Sequence, residues 1–262
     1  MSDPCTELQL LIDLYDPLDP DRSDLEAYLA MVEEFDARSV VDLGCGTGVF
    51  ALLLAERGLE VVGVDPSLES LVVAQRDHRP PRVISIYGTE RSVPLLAERV
   101  TWIYGVAADL PEVQVDLVTC TGNAMQQAFV DDQEWQSTLS AVHRVLKPGG
   151  RFIFETRDPA VRAWRAWTPK RSRGRTEVPG YGAITHWNEV TQITEAPLTV
   201  TFHSTLVFER SGTTLVSPPE TLRFRGNEEI REHLDAAGFA VDEIRDAPDR
   251  PGREWVFIAR KR

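Results

Sequence analysis

The residues best suited to chemistry in this chain sit close together: an acid followed by three glycines at alternate positions, Asp42–Leu43–Gly44–Cys45–Gly46–Thr47–Gly48. Glycine lets the backbone turn sharply and leaves no Cβ between it and a ligand. The apolar run that follows (Val49, Phe50, Leu52, Leu53, Leu54) reads as a helix whose N-terminus offers free N–H groups and a positive dipole end. The spacing is Asp-x-Gly-x-Gly-x-Gly, whereas the dinucleotide fingerprint is Gly-x-Gly-x-x-Gly, so the third glycine comes one residue early. A carboxylate at Asp42 would repel a pyrophosphate and suit a cationic group. A second acid, Asp65, ends the apolar run Glu60–Val64 about 20 residues after the glycines, where a carboxylate can accept both hydroxyls of a ribose.

The order of elements needed to hold these residues is legible around them. Val40–Val41 and Val61–Val64 read as buried strands, and the glycine loop is the turn between the first strand and its helix. The chain has 262 residues, 42% of them hydrophobic, enough for one large α/β domain with an elaboration. No run of about 18 apolar residues occurs, and the acidic start Met1–Ser2–Asp3–Pro4 lacks a signal peptide's basic, apolar pattern, so a cytoplasmic protein is the default expectation. The three cysteines (Cys5, Cys45, Cys120) make neither a disulfide framework nor a zinc pattern, and no metal is expected. Cys45 and Cys120 stand in apolar strand-end contexts and read as small buried hydrophobes. A formal net charge of −13 opposes a phosphate backbone and argues against a nucleic-acid partner.

Together, the glycine loop, Asp65 and the turn Lys147–Pro148–Gly149–Gly150 before a fifth strand resemble the class I S-adenosylmethionine-dependent methyltransferases. The resemblance implies a Rossmann-like, mostly parallel seven-stranded sheet of order 3-2-1-4-5-7-6 with helices on both faces. It implies S-adenosylmethionine as cofactor, its methionine part against Asp42, Gly44, Cys45, Gly46 and Gly48. The ribose would lie against Asp65, Pro66 and Ser67. Gly105–Pro111 resembles the loop that frames the adenine, through Val106 and Ala107, with Asp109 as the nearest acid; family members often carry an acid at the position of Val106. Tyr15–Asp16 resembles a Tyr–Asp pair that reaches into the site, although Tyr15 could equally pack its own helix.

The rest of the chain supplies the frame. Residues 7–15 read as a short helix stopped near Pro17 and Pro20, and a second helix runs from Asp21–Ser23 to about Phe35. These form an N-terminal segment, 1–39. Residues 79–98 read as an insertion, with a short strand at Val83–Tyr87 and a short helix at Ser92–Arg99. Val115–Thr121 is the fourth core strand, and ligands in open parallel sheets bind at such carboxyl ends. That makes Thr121 and Gly122 candidates for the cofactor and Asn123 for the acceptor. Asp131–Val145 is a helix, Asn227 caps another that ends at Gly238, and Phe239–Ile244 and Glu254–Arg260 are closing strands, so the core spans 40–158 and 221–262.

Residues 159–220 depart from this pattern. A basic, Trp-containing stretch (Val161–Arg175) precedes three extended segments, Ala183–Glu195, Leu198–Arg210 and Thr213–Phe224, which predict an antiparallel cap over the acceptor. Arg157 suits a substrate carboxylate or phosphate, and Trp164 an apolar ring. His186 is the candidate general base, since histidine titrates near neutrality; a strand histidine without a catalytic task is the competing reading. The expected reaction is methyl transfer from S-adenosylmethionine to oxygen or nitrogen of a small-molecule acceptor, by a monomer or a homodimer. The alternatives are a non-catalytic S-adenosylmethionine-binding protein and a nucleotide-dependent oxidoreductase.

Overall fold

The computed structural model describes residues 4–76, 83–86, 89–92, 99–127 and 130–262. The helices α1 (Pro4–Asp13), α2 (Tyr15–Leu18) and α3 (Glu26–Glu34) precede the sheet. Pro17 lies inside α2 rather than ending it. In a first turn its missing N–H forfeits no hydrogen bond. The core then runs β1 (Ser39–Leu43), α4 (Val49–Glu56), β2 (Glu60–Asp65), α5 (Leu68–Gln75), a hairpin of β3 (Val83–Ile86) and β4 (Thr89–Ser92), and β5 (Val100–Tyr104). It continues through β6 (Val115–Cys120), α6 (Ala124–Gln127), α7 (Asp132–Val145) and β7 (Leu146–Arg157). Of the helix expected at Ser92–Arg99, Ser92 instead ends β4, and residues 93–98 lie outside the described residues.

The seven-stranded sheet has the order β5-β2-β1-β6-β7-β14-β13, with β13 (Phe239–Asp246) and β14 (Glu254–Lys261) antiparallel at one edge. In core-strand terms this is the expected 3-2-1-4-5-7-6. Alternation of side chains along each strand divides its two buried faces. Val40, Leu117, Ile153 and Val256 pack under Leu29, Val32, Phe50 and Leu54 of α3 and α4. Val41, Val118, Phe154 and Phe257 face the opposite way, against Trp135, Leu139 and Val142 of α7 and Leu234 of α8 (Asn227–Ala236). Gly226 caps α8 in place of Asn227: the Glu229 carboxylate reaches back to its N–H (3.4 Å), and Asn227 accepts instead from Arg231 one turn on. Lys147 ties three strand starts together through Asp116 (2.7 Å), whose carboxylate also takes the N–H groups of Arg38 and Ser39. These donors hold the Asp116 pKa down to about 2.

The inserted cap consists of β8 (Gly174–Val178), β9 (Gly182–Glu195), β10 (Leu198–Phe208), β11 (Thr214–Val216) and β12 (Glu220–Arg223). Its order is β11-β10-β9-β8, and β12 follows β11 along the same edge of β10. Two features depart from the sequence expectation. The end of the basic stretch forms an edge strand, β8, with Arg175 on its exposed side bound to Glu209 (3.0 Å). The segment read as one strand from Thr213 to Phe224 is two, because Pro218 and Pro219 cannot donate to a ladder. On the inner face of the cap, Ile184, Leu206 and Phe208 pack on Leu10, Leu11, Leu14 and Leu18 of the N-terminal helices. Further along, Val200, Phe202 and Leu222 pack on Trp164, Trp167 and Phe224. With α1 beside α5 and α2 beside β8, the N-terminal segment bridges core and cap.

Candidate functional site

The glycine loop is fastened to the second strand by its own backbone. The N–H groups of Gly44 and Cys45 both donate to the carbonyl of Val64 (2.8 and 3.1 Å), and that of Gly46 donates to Asp65 Oδ2 (2.8 Å). Gly48, at φ +81, starts α4; a Cβ there would stand 2.7 Å from both Ala74 Cβ and the Trp102 ring, so only glycine fits. Gly46, at φ +53, has nothing within 4 Å of the corresponding position, which leaves its face open to a ligand.

Two acids flank this loop. Asp42 is 1% exposed; Thr119 donates to its Oδ1 (3.1 Å), and its Oδ2 is buried with no hydrogen-bond partner. Burial pushes its pKa up to about 7, and the neighbouring charge of Asp65 adds to the rise. Asp65 is also raised by burial, although its two oxygens accept from the N–H groups of Ser67 and Gly46 (2.8 Å each). An orphaned, desolvated carboxylate beside a second one favours a cation. Burial likewise raises the thiols of Cys45 and Cys120, so both remain protonated.

Beyond the loop lies an apolar slot lined by Leu43, Gly44, Val64, Pro66, Gly105, Val106, Ala107, Cys120 and Ala124. It sits across the carboxyl ends of β2, β1 and β6, where strand order reverses. Val106 and Ala107 stand in its wall as the sequence suggests. Asp109 folds back so that its Oδ2 accepts from the Val106 N–H (2.8 Å); its carboxylate shapes the turn and does not point into the slot. Ser67 similarly uses its hydroxyl to cap α5, accepting from Ser70 N–H (3.1 Å).

Past β6, Thr121 is half-buried and Gly122 (φ +69) exposed, both at the mouth of the site. Asn123 is not in that mouth. Its φ of +59 turns it inward, where it is 2% exposed. Its N–H donates to Glu155 Oε1 (2.9 Å) and its side-chain amide to Glu254 Oε2 (2.9 Å). Tyr28 donates its hydroxyl to the other oxygen of Glu155, and Arg250 binds Glu254 (2.9 Å). Arg157, expected to be free for a substrate anion, is engaged by Gln126 Oε1 (3.2 Å) and Glu254 Oε1 (3.4 Å). Trp164, 6% exposed, meets Phe224 edge-on at 4.5 Å and belongs to the base of the cap. Trp167 is the tryptophan beneath the Arg157 guanidinium, 5.6 Å from ring centroid to Cζ.

Between the two apolar clusters of the cap runs a polar band. Strand register places His186 opposite Leu206, Asn188 opposite Ser204 and Glu220 opposite Phe202, all on the inner face. The Ser204 hydroxyl donates to Asn188 Oδ1 (2.8 Å), His186 Nε2 lies 3.3 Å from Thr176 Oγ1, and Gln127 donates to Glu220 Oε2 (2.9 Å). Burial lowers the His186 pKa, favouring the neutral imidazole. Tyr15 faces this band. Its ring is 63% exposed, yet it stands in a concavity where surrounding protein raises its pKa and where Glu220 and Arg157 are within electrostatic reach. The motifs pointed to none of Glu220, Gln126, Gln127, Tyr28 or Glu155. For Glu220 the available signal was the proline pair that breaks the strand just before it. Among the described residues, no three His, Cys, Asp or Glu side chains are grouped to hold a metal, and no helix is long and apolar enough to cross a membrane.

Sheet order, glycine loop, switch-point slot and cap define the class I S-adenosylmethionine-dependent methyltransferase fold with an antiparallel insertion. Residues 40–150 match a family model described as a methyltransferase domain. Among curated proteins, the chain is 32% identical over 164 residues to the cypemycin N-terminal methyltransferase of a Streptomyces species, covering 61% of this chain and 60% of that protein. It is 32% identical over 119 residues to the ubiquinone biosynthesis O-methyltransferase of Pseudomonas entomophila, covering 45% and 44%. The chain thus spans 60% or less of the length of these two relatives. Among solved structures, the CcbJ methyltransferase of Streptomyces caelestis superposes with a TM-score of 0.75 at 23% identity over 96% of both chains, a likeness of fold.

Proposed function

We propose that the protein transfers a methyl group from S-adenosylmethionine to an oxygen or nitrogen of a small-molecule acceptor. The observation that carries this reading is the buried Asp42, whose Oδ2 lacks a partner directly behind an open glycine loop. A pyrophosphate would be repelled there, whereas a ligand with an ammonium and a sulfonium would supply the missing positive charge. Bound there, S-adenosylmethionine supplies an electrophilic methyl carbon.

The chain's own residues supply the rest. Asp65 retains lone pairs for a ribose diol while fixing Gly46 and Ser67, and Val106 and Ala107 wall an adenine in the apolar slot. Thr121 and Gly122 border the place where the reacting groups meet, with Tyr15 and the polar band of the cap facing them. The cap and N-terminal helices exclude water and align the acceptor, and such alignment is worth several kcal/mol. His186, half-buried and favoured as the neutral base, is a candidate to accept a proton from an alcohol acceptor. Enclosure by the cap and the charge of −13 favour a small acceptor over a nucleic acid. A cytoplasmic location and a monomeric or homodimeric state belong to the same reading.

The test is incubation with S-adenosylmethionine carrying a labelled methyl and a panel of small amines and alcohols. Label recovered in an acceptor, with stoichiometric S-adenosylhomocysteine, is the expected result. Cofactor binding without transfer to any member would favour the non-catalytic alternative.

A further inference from the structure

We propose that Glu220 receives a basic nitrogen of the acceptor, so that the small molecule methylated here is an amine. This rests on the methyl-transfer reading above. Away from Asp42 and Asp65 at the glycine loop, most charges lining the cleft are already compensated. Arg157 is matched by Glu254, Glu254 also by Arg250, and Glu155 by Tyr28 and Asn123. Glu220 is the exception. Among the described residues its one hydrogen bond comes from the neutral amide of Gln127, and no basic side chain lies within 4.0 Å of it.

A half-buried carboxylate without a counter-ion has lost hydration and gained little in return. An ammonium group would restore that loss through a charge-assisted hydrogen bond to the second carboxylate oxygen. The neighbouring surface fits the same ligand. Phe202 pairs with Glu220 across the strands, and Trp167 tilts onto Phe202 with ring centroids 4.8 Å apart, so aromatic rings stand beside the acid. Ring faces attract cations and exclude water. The Tyr15 hydroxyl lies within electrostatic reach of Glu220. The proximal end of this receptor is Gln127 on α6, the helix that follows Thr121 and Gly122.

Glu220 also has a use once the amine is bound. An ammonium has no lone pair to offer a methyl group. One of its N–H protons passes to the free oxygen of Glu220. The ammonium becomes a neutral amine, the carboxylate becomes a carboxylic acid, and the nitrogen lone pair is exposed. Burial raises the pKa of Glu220 above that of an ordinary glutamate, which makes it a better proton acceptor. His186 would serve an alcohol, Glu220 an amine, and the aromatic surroundings of Glu220 select the second.

The experiment uses the full chain saturated with S-adenosylhomocysteine. It is titrated by calorimetry with cyclohexylamine, benzylamine and glucosamine, each beside the compound carrying a hydroxyl in place of the amine: cyclohexanol, benzyl alcohol and glucose. At least one amine is expected to bind about tenfold more tightly than its partner, the size of one charge-assisted hydrogen bond. Glu220→Gln should abolish that preference while leaving S-adenosylhomocysteine affinity unchanged, which also reports that the variant is folded. Equal binding within every pair, no binding by any amine, or a preference that survives Glu220→Gln would overturn the proposal. Failure of the wild-type chain to bind S-adenosylhomocysteine would instead bring down the methyl-transfer reading beneath it.

Discussion

Two halves of one cleft are built on opposite plans. Around the glycine loop, backbone without side chains stands open at Gly46, and the carboxylate of Asp65 locks the loop by taking N–H groups from Gly46 and Ser67. Across the cleft, the cap presents side chains (His186, Asn188, Ser204, Glu220) from a sheet whose backbone hydrogen bonds are spent on its own ladders. A backbone surface changes little with side-chain substitution, whereas a side-chain surface can be rewritten one residue at a time. Under the proposed function, a fixed cofactor half stands beside an adaptable acceptor half, the arrangement by which a scaffold can serve different acceptors.

The contrast can be broken experimentally, and the largest effect is expected at its fixed half. Asp65→Ala releases two backbone donors as well as the proposed ribose contact, and S-adenosylhomocysteine affinity should fall by about 100-fold or more in calorimetry. Next comes the seam between the halves. Glu155→Ala strands the Tyr28 hydroxyl and the Asn123 N–H in a buried network, and chemical denaturation should report a loss of about 2–3 kcal/mol.

Asp42 yields a smaller but more diagnostic effect. A cationic cofactor prefers its ionised form, so affinity for S-adenosylmethionine should rise as the pH climbs toward and through about 7. Between pH 6 and 8 the gain is about tenfold, and Asp42→Asn should flatten the profile. Without ligand the sign reverses for stability. The folded pKa lies above the ordinary 3.8, so stability contributed by the protonated acid is lost as the pH rises from 3.8 through about 7. The smallest effect belongs to the cap. His186→Ala should leave S-adenosylhomocysteine affinity within about twofold of wild type, because the proposed cofactor contacts do not include it. A larger change would show that the two halves are not separable.

The same contrast explains what could be read without a structure. Asp42 to Gly48, Asp65 and the turn at Lys147 are local patterns whose spacing dictates a strand, a turn and a helix, and their resemblance to a known family implied the seven-stranded order. The residues proposed for the acceptor side, Gln127, Arg157, His186 and Glu220, lie far apart in the chain and meet only where the cap folds over the core. Asn123 was correctly placed at a strand end, but its left-handed backbone turns the side chain inward, a property its position could not convey. Trp164 and Trp167 lie three residues apart in the same stretch. Packing buries the first against Phe224 and leaves the second beside Arg157. Pro218 and Pro219 broke the predicted strand for a reason visible in their chemistry, and the residue they release into the cleft is Glu220.

The central claim is that the glycine loop and its two acids receive an adenosyl cation rather than a dinucleotide. Calorimetric titration of the purified chain with S-adenosylmethionine and S-adenosylhomocysteine, with NAD in parallel, tests it most directly. Micromolar binding of both adenosyl ligands and no heat from NAD is the predicted result. Binding of NAD, or of none of the three, would contradict the account.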